Sequence, residues 1–165
     1  MTMIELILYV AILLVLAFVA VSSLIALSGA YRTMKSAQSI DTAGSLSLER
    51  MVREVRDATS VDTSQSTLGS SPGSLVLNTT DASGATTSVQ FFVSGQSIHV
   101  KEAGVDKGPL TPASVRVTNL VFRQISTANS KAVKIELTLE SGQAAYYRSK
   151  SFYSTVVLRG SYPVQ

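Results

Sequence analysis

Apolar side chains dominate the first 31 residues of the chain. Residues 6–21 are sixteen apolar residues in succession, and no charged residue lies between Glu5 and Arg32. As an α-helix, the 26 residues from Leu6 to Tyr31 would span about 39 Å, which exceeds the roughly 30 Å of a bilayer hydrocarbon core. A signal peptide would begin with a positively charged region, and none precedes this stretch. The pattern therefore predicts a hydrophobic transmembrane helix over residues 1–31.

The period of the apolar positions then changes. Over residues 32–59, Leu48, Met51, Val52 and Val55 recur at spacings of three and four, which predicts an amphipathic continuation of the helix. Charged residues of opposite sign stand four apart on the remaining face. These pairs are Glu49 with Arg53, Arg50 with Glu54, and Arg53 with Asp57. We interpret them as a solvated helix face.

The rest of the chain has the pattern of a sheet. Residues 60–74 are rich in Ser, Thr, Gly and Pro, which predicts a loop. Residues 75–165 contain apolar positions that alternate with polar ones, as in half-buried antiparallel strands. We expect about six strands, with the alternation clearest over 89–93, 98–100, 133–139 and 152–158. The predicted fold class is α+β, a long N-terminal helix whose outer half packs on an antiparallel β-sheet.

Composition removes several classes of chemistry. The chain has 165 residues, no cysteine and one histidine. Disulfides, thiolate metal sites and cysteine nucleophiles are therefore excluded. A single histidine argues against a catalytic triad or a multi-histidine metal site. Since no phosphate-binding glycine loop is present either, we expect no enzymatic activity, cofactor or metal.

The distribution of charge separates the uncharged N-terminal stretch from the rest of the chain and indicates no further function. All 14 basic residues and 10 of the 11 acidic residues lie from Arg32 onward, and the net charge is +3. The signs are interspersed, so nucleic-acid binding is not indicated. His99 should lie on the outer face of a strand, and we interpret Glu102 and Asp106 as surface charges. Residues 146–148 (Tyr-Tyr-Arg) suggest either an exposed patch for a partner or, preferably, ordinary strand packing.

Glu5 is the charge that a simple membrane anchor does not explain. A carboxylate at the edge of an apolar helix loses hydration, so it is a functional hypothesis that requires a partner. The chain's own N-terminal amine is one candidate, and the amine of a neighbouring chain in a staggered bundle is a better one. Such a pair is suited to fixing register between subunits, because losing one partner leaves the other charge stranded.

The opening sequence MTMIELILYVAILLVLAFVAV resembles the mature N-terminus of type IV pilins and type II secretion pseudopilins. The matching features are Thr2, Ile4, Glu5, Leu6 and the long apolar helix behind them. The resemblance implies a type IV pilin-like fold and a prepilin whose leader is removed by a prepilin peptidase that methylates the new N-terminus, here Met1. It also implies that Glu5 recognises the N-terminus of a neighbouring subunit during assembly.

The same resemblance implies where the chain resides and what it meets. The N-terminus would face the cytoplasm, with membrane lipid around the helix, until an inner-membrane assembly platform adds the subunit to an extracellular filament. Partners would be copies of itself or other pilins. In the filament, the apolar residues that pack among neighbouring helices would include Leu6, Leu8, Ile12, Leu13 and Leu16.

A second, looser resemblance covers the C-terminal part of the chain. Residues 48–61, 117–126, 131–140 and 151–159 look like the minor pseudopilin J and related minor pilins. The leading hypothesis is thus a structural subunit of a type IV pilus or related filament. The alternatives are a minor pseudopilin at the tip of a secretion pseudopilus and a monomeric, membrane-anchored extracytoplasmic binding module. Major or minor status, and a role in motility, adhesion, DNA uptake or secretion, stay open.

Overall fold

The computed structural model describes residues 2–81, 83–127 and 130–159. Helix α1 runs without interruption from Met3 to Asp57 and is roughly 82 Å long at about 1.5 Å per residue. It contains no proline, the residue that most often breaks a helix. The helix ends where Ala58 adopts extended angles (φ −67°, ψ 141°). The sequence predicts an end at residue 59, two residues late, because neither glycine nor proline marks the true end.

Only the C-terminal part of α1 packs on the rest of the protein. Its buried residues recur every three or four positions and are Ile40, Ala43, Gly44, Ser47, Met51 and Val55. Leu48 and Val52 lie partly buried beside them. The predicted amphipathic stripe is therefore confirmed, and it begins about two turns earlier than its apolar side chains indicate. From residue 2 to residue 39, no described residue is buried.

The strands form two antiparallel sheets. The first sheet has five strands in chain order: β1 (Ser60–Val61), β2 (Leu75–Thr80), β3 (Thr86–Ser94), β4 (Ser97–Glu102) and β5 (Val105–Pro109). The second has three, also in chain order: β6 (Val115–Ser126), β7 (Lys131–Ser141) and β8 (Arg148–Val157). A short 3₁₀ helix, Ala144–Tyr146, precedes β8. Helix α1 packs mainly on β7 and β8.

The prediction of about six strands in one sheet is wrong, because the described residues form eight strands in two sheets. Two of these strands lie where the sequence pattern does not indicate a strand. Ser60–Val61 pairs with Asn78 and Leu77, although it lies in the segment predicted as a loop from its composition. Strand β5 is largely exposed and has no apolar alternation, and it forms because its backbone pairs with β4. Alternation identifies half-buried strands, but it does not show which strands pair.

One hydrophobic core joins the helix to both sheets. The first sheet contributes Leu75, Leu77, Phe91 and Ile98, and the second contributes Leu120, Phe122, Ile135, Leu137 and Leu139. The predicted alternation is present, since all four of the apolar positions over 133–139 are fully buried. The Phe152 ring lies directly against the backbone of Gly44. A Cβ added at Gly44 would stand 2.5 Å from Phe152 Cε2 and 2.7 Å from Cε1.

Candidate functional site: the uncovered apolar helix

The N-terminal part of α1 exposes apolar side chains on every face. Twenty large apolar side chains from Met3 to Met34 are exposed, including Met3 at 83% and Phe18 at 74%. Burying one such side chain is worth about 1.5–3 kcal/mol, so the segment represents tens of kcal/mol, against about 5–15 kcal/mol for the net stability of a domain. The helix is long and apolar enough to cross a membrane once. Lipid or other protein must therefore cover this surface in the functional state.

Glu5 lies at the first turn of this uncovered helix. The backbone N–H of Thr2, the N-cap, donates a hydrogen bond to Glu5 Oε2 at 3.3 Å. The Thr-x-x-Glu spacing is that of a capping box, and a carboxylate near a helix N-terminus interacts favourably with the helix dipole. Within one chain, the Glu5 carboxylate is thus turned towards the N-terminal end. Met1, the predicted site of methylation, lies outside the described residues.

The five apolar residues predicted to pack in a filament are all half or more exposed. They are Leu6, Leu8, Ile12, Leu13 and Leu16. At about 100° per residue, they cover a sector of about 160° of the helix circumference. Glu5 projects at about the middle of that sector, between Ile12 and Leu16. The predicted packing residues therefore share one side of the helix with Glu5 and follow it along the axis.

The histidine has a partner on the outer face of the first sheet. His99 Nδ1 lies 3.0 Å from Asp106 Oδ2, and the rings of His99 and Phe92 are 5.7 Å apart. The pKa of Asp106 lies below its usual value, first because the N–H of Gly108 donates to its carboxylate and also because of the nearby His99. His99 lies on the outer face as predicted, but flanking strands leave its side chain only 20% exposed.

Glu102, the other acid beside His99 and Asp106 that could attract a cation, has a basic partner. Glu102 Oε1 lies 2.6 Å from Arg50 Nη2, which also contacts Glu54 at 2.9 Å. Among the described residues, no group of three or more His, Asp or Glu side chains could hold a metal ion. The Arg50–Glu54 pair predicted along the helix is therefore present, and it extends to the first sheet.

The adjacent tyrosines Tyr146 and Tyr147 lie in different environments. Tyr146 is partly buried, and its ring lies 5.7 Å from the guanidinium carbon of Arg32 on α1. Tyr147 is 43% exposed, and a hydrogen bond with Glu140 raises the pKa of its hydroxyl. Tyr146 thus packs on the helix rather than in a strand, so neither prediction for this segment describes it.

Comparison of the chain with protein-family models, with curated proteins and with solved structures finds no match. What the chain does must therefore be argued from its own residues.

Proposed function

We propose that this chain is a structural subunit of an extracellular filament of the type IV pilin class, held in the membrane by the N-terminal part of α1 until assembly. The observation that carries the proposal is Glu5, the one charge on the apolar N-terminal part of α1, which no other described part of the chain covers. The N-terminal resemblance and the order of helix and antiparallel strands support it.

The uncovered surface supports assembly as well as anchoring. Moving the helix from lipid into a bundle of like helices is roughly neutral in hydrophobic terms, because lipid is as apolar as the side chains. Some other interaction must therefore favour the filament over the membrane. A charged side chain loses hydration inside a bilayer, at a cost that reaches about 2.5–3.5 kcal/mol at the bilayer centre and is smaller at the edge, where Glu5 lies. An amine from a neighbouring subunit offsets that cost for Glu5 and sets the stagger between the two helices.

A capping role alone also accounts for the position of Glu5, and substitution can separate the two roles. Gln at the same position of a capping box still accepts a hydrogen bond from the N-cap N–H, but it carries no charge. The proposal therefore predicts that Glu5→Gln and Glu5→Ala fail alike in assembly. If capping were the role, Glu5→Gln would assemble and Glu5→Ala would not.

The experiment expresses full-length variants in a host that assembles filaments and compares the sheared filament fraction with the membrane fraction. Removing one member of a buried ion pair costs about 3–5 kcal/mol, so each subunit contact should weaken more than about 100-fold. We expect normal membrane levels and almost no filaments for both Glu5 variants. The matched control is Glu49→Gln, an exposed acid on the same helix that has no ion-pair partner among the described residues.

Mass spectrometry of the N-terminus of the wild-type protein completes the test. An N-methylated Met1 in the filament fraction is expected, and its abundance relative to other subunits separates a shaft subunit from a tip subunit. A chain found only as a membrane monomer would contradict the proposal and favour an anchored binding module.

A further inference from the structure

A groove of about 580 Å³ opens where α1 leaves its apolar stretch and meets the sheets. Arg32 and Lys35 on α1 form one side. The start of β6 with Arg116, and the segment 141–146 that follows β7, form the other. These walls come from residues 32–39 and from residues 96–146, so the groove is a product of the fold.

The groove carries three basic side chains and no acidic one among its described lining residues. Neither Lys35 nor Arg116 forms an ion pair with any described residue. Glu140 stands opposite Arg116 in the strand register, and its carboxylate hydrogen-bonds Tyr147. The guanidinium of Arg32 lies over the Tyr146 ring, an arrangement that holds the side chain in place by cation–π attraction.

The other lining groups are suited to an anion with several oxygens. The hydroxyls of Ser36, Ser39 and Ser114 line the same groove and can donate hydrogen bonds. Guanidinium and ammonium groups, together with hydroxyl donors, are the side-chain groups that bind phosphate in proteins. Gly142 forms part of the wall with φ +83°, and a Cβ there would collide with the carbonyl of Tyr146. The same Cβ would stand 3.0 Å from Ser36 Oγ on α1, so this wall lies close to the helix.

The groove also lies at a defined height above the apolar stretch. Leu27 is its last leucine, and Arg32 follows five residues later, about 7.5 Å along the helix. The head-group layer on each side of a bilayer is about 5–8 Å thick. When the apolar stretch occupies the hydrocarbon core, Arg32 and Lys35 stand at the level of lipid phosphates.

We propose that this groove binds the phosphate of an anionic phospholipid head group, with Arg116 reaching it from the sheet and Arg32 and Lys35 from the helix. The site would fix the head of the protein against the membrane surface. The inference depends on the membrane anchor and not on filament assembly, so it can fail or succeed independently of the proposed function.

The test uses the full-length chain in a neutral, non-ionic detergent and counts bound lipid by native mass spectrometry. The probes are dioctanoyl phosphatidylglycerol, which is anionic, and dioctanoyl phosphatidylcholine, which has the same acyl chains and no net charge. Inorganic phosphate is added as a competitor to distinguish a lipid from a free phosphate. The key variant is Arg116→Gln, and Lys35→Gln tests the opposite wall. The matched control is Arg53→Gln, because Arg53 is exposed further along α1 and pairs with no acid in the described part of the chain.

A basic residue near a lipid surface contributes about 1 kcal/mol, which is about fivefold in affinity. We expect the wild type to bind the anionic lipid at least about fivefold more tightly than the zwitterionic lipid, and each groove variant to lose about fivefold. Arg53→Gln should bind as the wild type does. Equal binding of the two lipids, or equal binding by Arg116→Gln and Arg53→Gln, would overturn the proposal. Displacement by equimolar inorganic phosphate would assign the groove to free phosphate and overturn the lipid assignment.

Discussion

Gly44 offers a sharp test of how the helix packs on the second sheet. The Phe152 ring occupies the space where a side chain at residue 44 would stand, with three ring carbons closer to that position than van der Waals contact allows. Lys150 Nζ lies 5.4 Å from the centre of the same ring and also pairs with Asp41 on α1 at 2.6 Å. The ring must therefore move when Gly44 is replaced by Ala, and its contact with Lys150 moves with it.

Two opposing effects set the size of the change. Forcing an extra carbon into a packed interface costs about 1–3 kcal/mol, whereas Ala in place of Gly favours a helix by about 1 kcal/mol. We expect Gly44→Ala to destabilise the protein by about 1 kcal/mol net. In a Phe152→Leu background the ring is gone, so the same change should stabilise the protein by up to about 1 kcal/mol. The two backgrounds should thus differ in sign, with a coupling of about 2 kcal/mol.

The assay is urea unfolding of the full chain in non-ionic detergent, followed by circular dichroism. With a slope of about 1–3 kcal/mol per molar urea, the single variant should lower the midpoint by roughly 0.3–1 M. All four members of the cycle are compared under the same conditions. Additive effects within about 0.5 kcal/mol, with Gly44→Ala equally tolerated in both backgrounds, would refute the close contact between Gly44 and Phe152.

Two further predictions use the same unfolding assay. Met51 is fully buried, so Met51→Ala should cost about 2–5 kcal/mol, while Leu46→Ala on the exposed face of α1 should stay within about 0.5 kcal/mol. Asp62 accepts hydrogen bonds from the hydroxyl and N–H of Ser64 and from the N–H of Gln65, and the Ser64 hydroxyl is the first cause of its lowered pKa. A depressed carboxyl pKa stabilises the fold above the ordinary value of 3.8, and that contribution is lost as the pH falls through the lower folded value. As the pH falls from 3.8 towards that lower folded value, wild type should therefore lose stability more steeply than Asp62→Asn; parallel pH profiles over this range would contradict the assignment.

Sequence periodicity predicts the helix stripe only where its residues are large and apolar. Met51 and Val55 stand out by their spacing, whereas the buried Gly44 and Ser47 look like surface positions. Their burial comes from the approach of β8, which no local pattern records. Of the three ion pairs predicted along the helix, Arg50–Glu54 forms. Arg53 makes no ion pair with another described residue, because nothing holds two exposed, flexible side chains together.

Of the candidate functional features, Glu5 could be recognised from the sequence and the basic groove could not. Glu5 is conspicuous in sequence because an apolar run follows it directly, and its helical position can be worked out from the sequence alone. The basic groove could not be predicted, because 83 residues separate Arg116 from Arg32 and the two line one groove only once β6 lies beside α1. A charged residue that stands out from apolar sequence neighbours can be recognised in the sequence. A charged site formed by residues that meet only in the folded chain cannot.

Because the helix is uninterrupted, it also fixes the rotation of its C-terminal end about the helix axis relative to its N-terminal end. Each residue turns the helix by about 100° and advances it by about 1.5 Å. The angle about the helix axis between the Glu5 side chain and the sheets with their groove is therefore set by the number of residues between them. One residue inserted between Gly29 and Ser39 would swing the entire head by about 100°, whereas four would leave it only about 40° from its original bearing. The length of this segment therefore encodes an angle as well as a distance, and subunits that align through Glu5 would present their heads in one common direction.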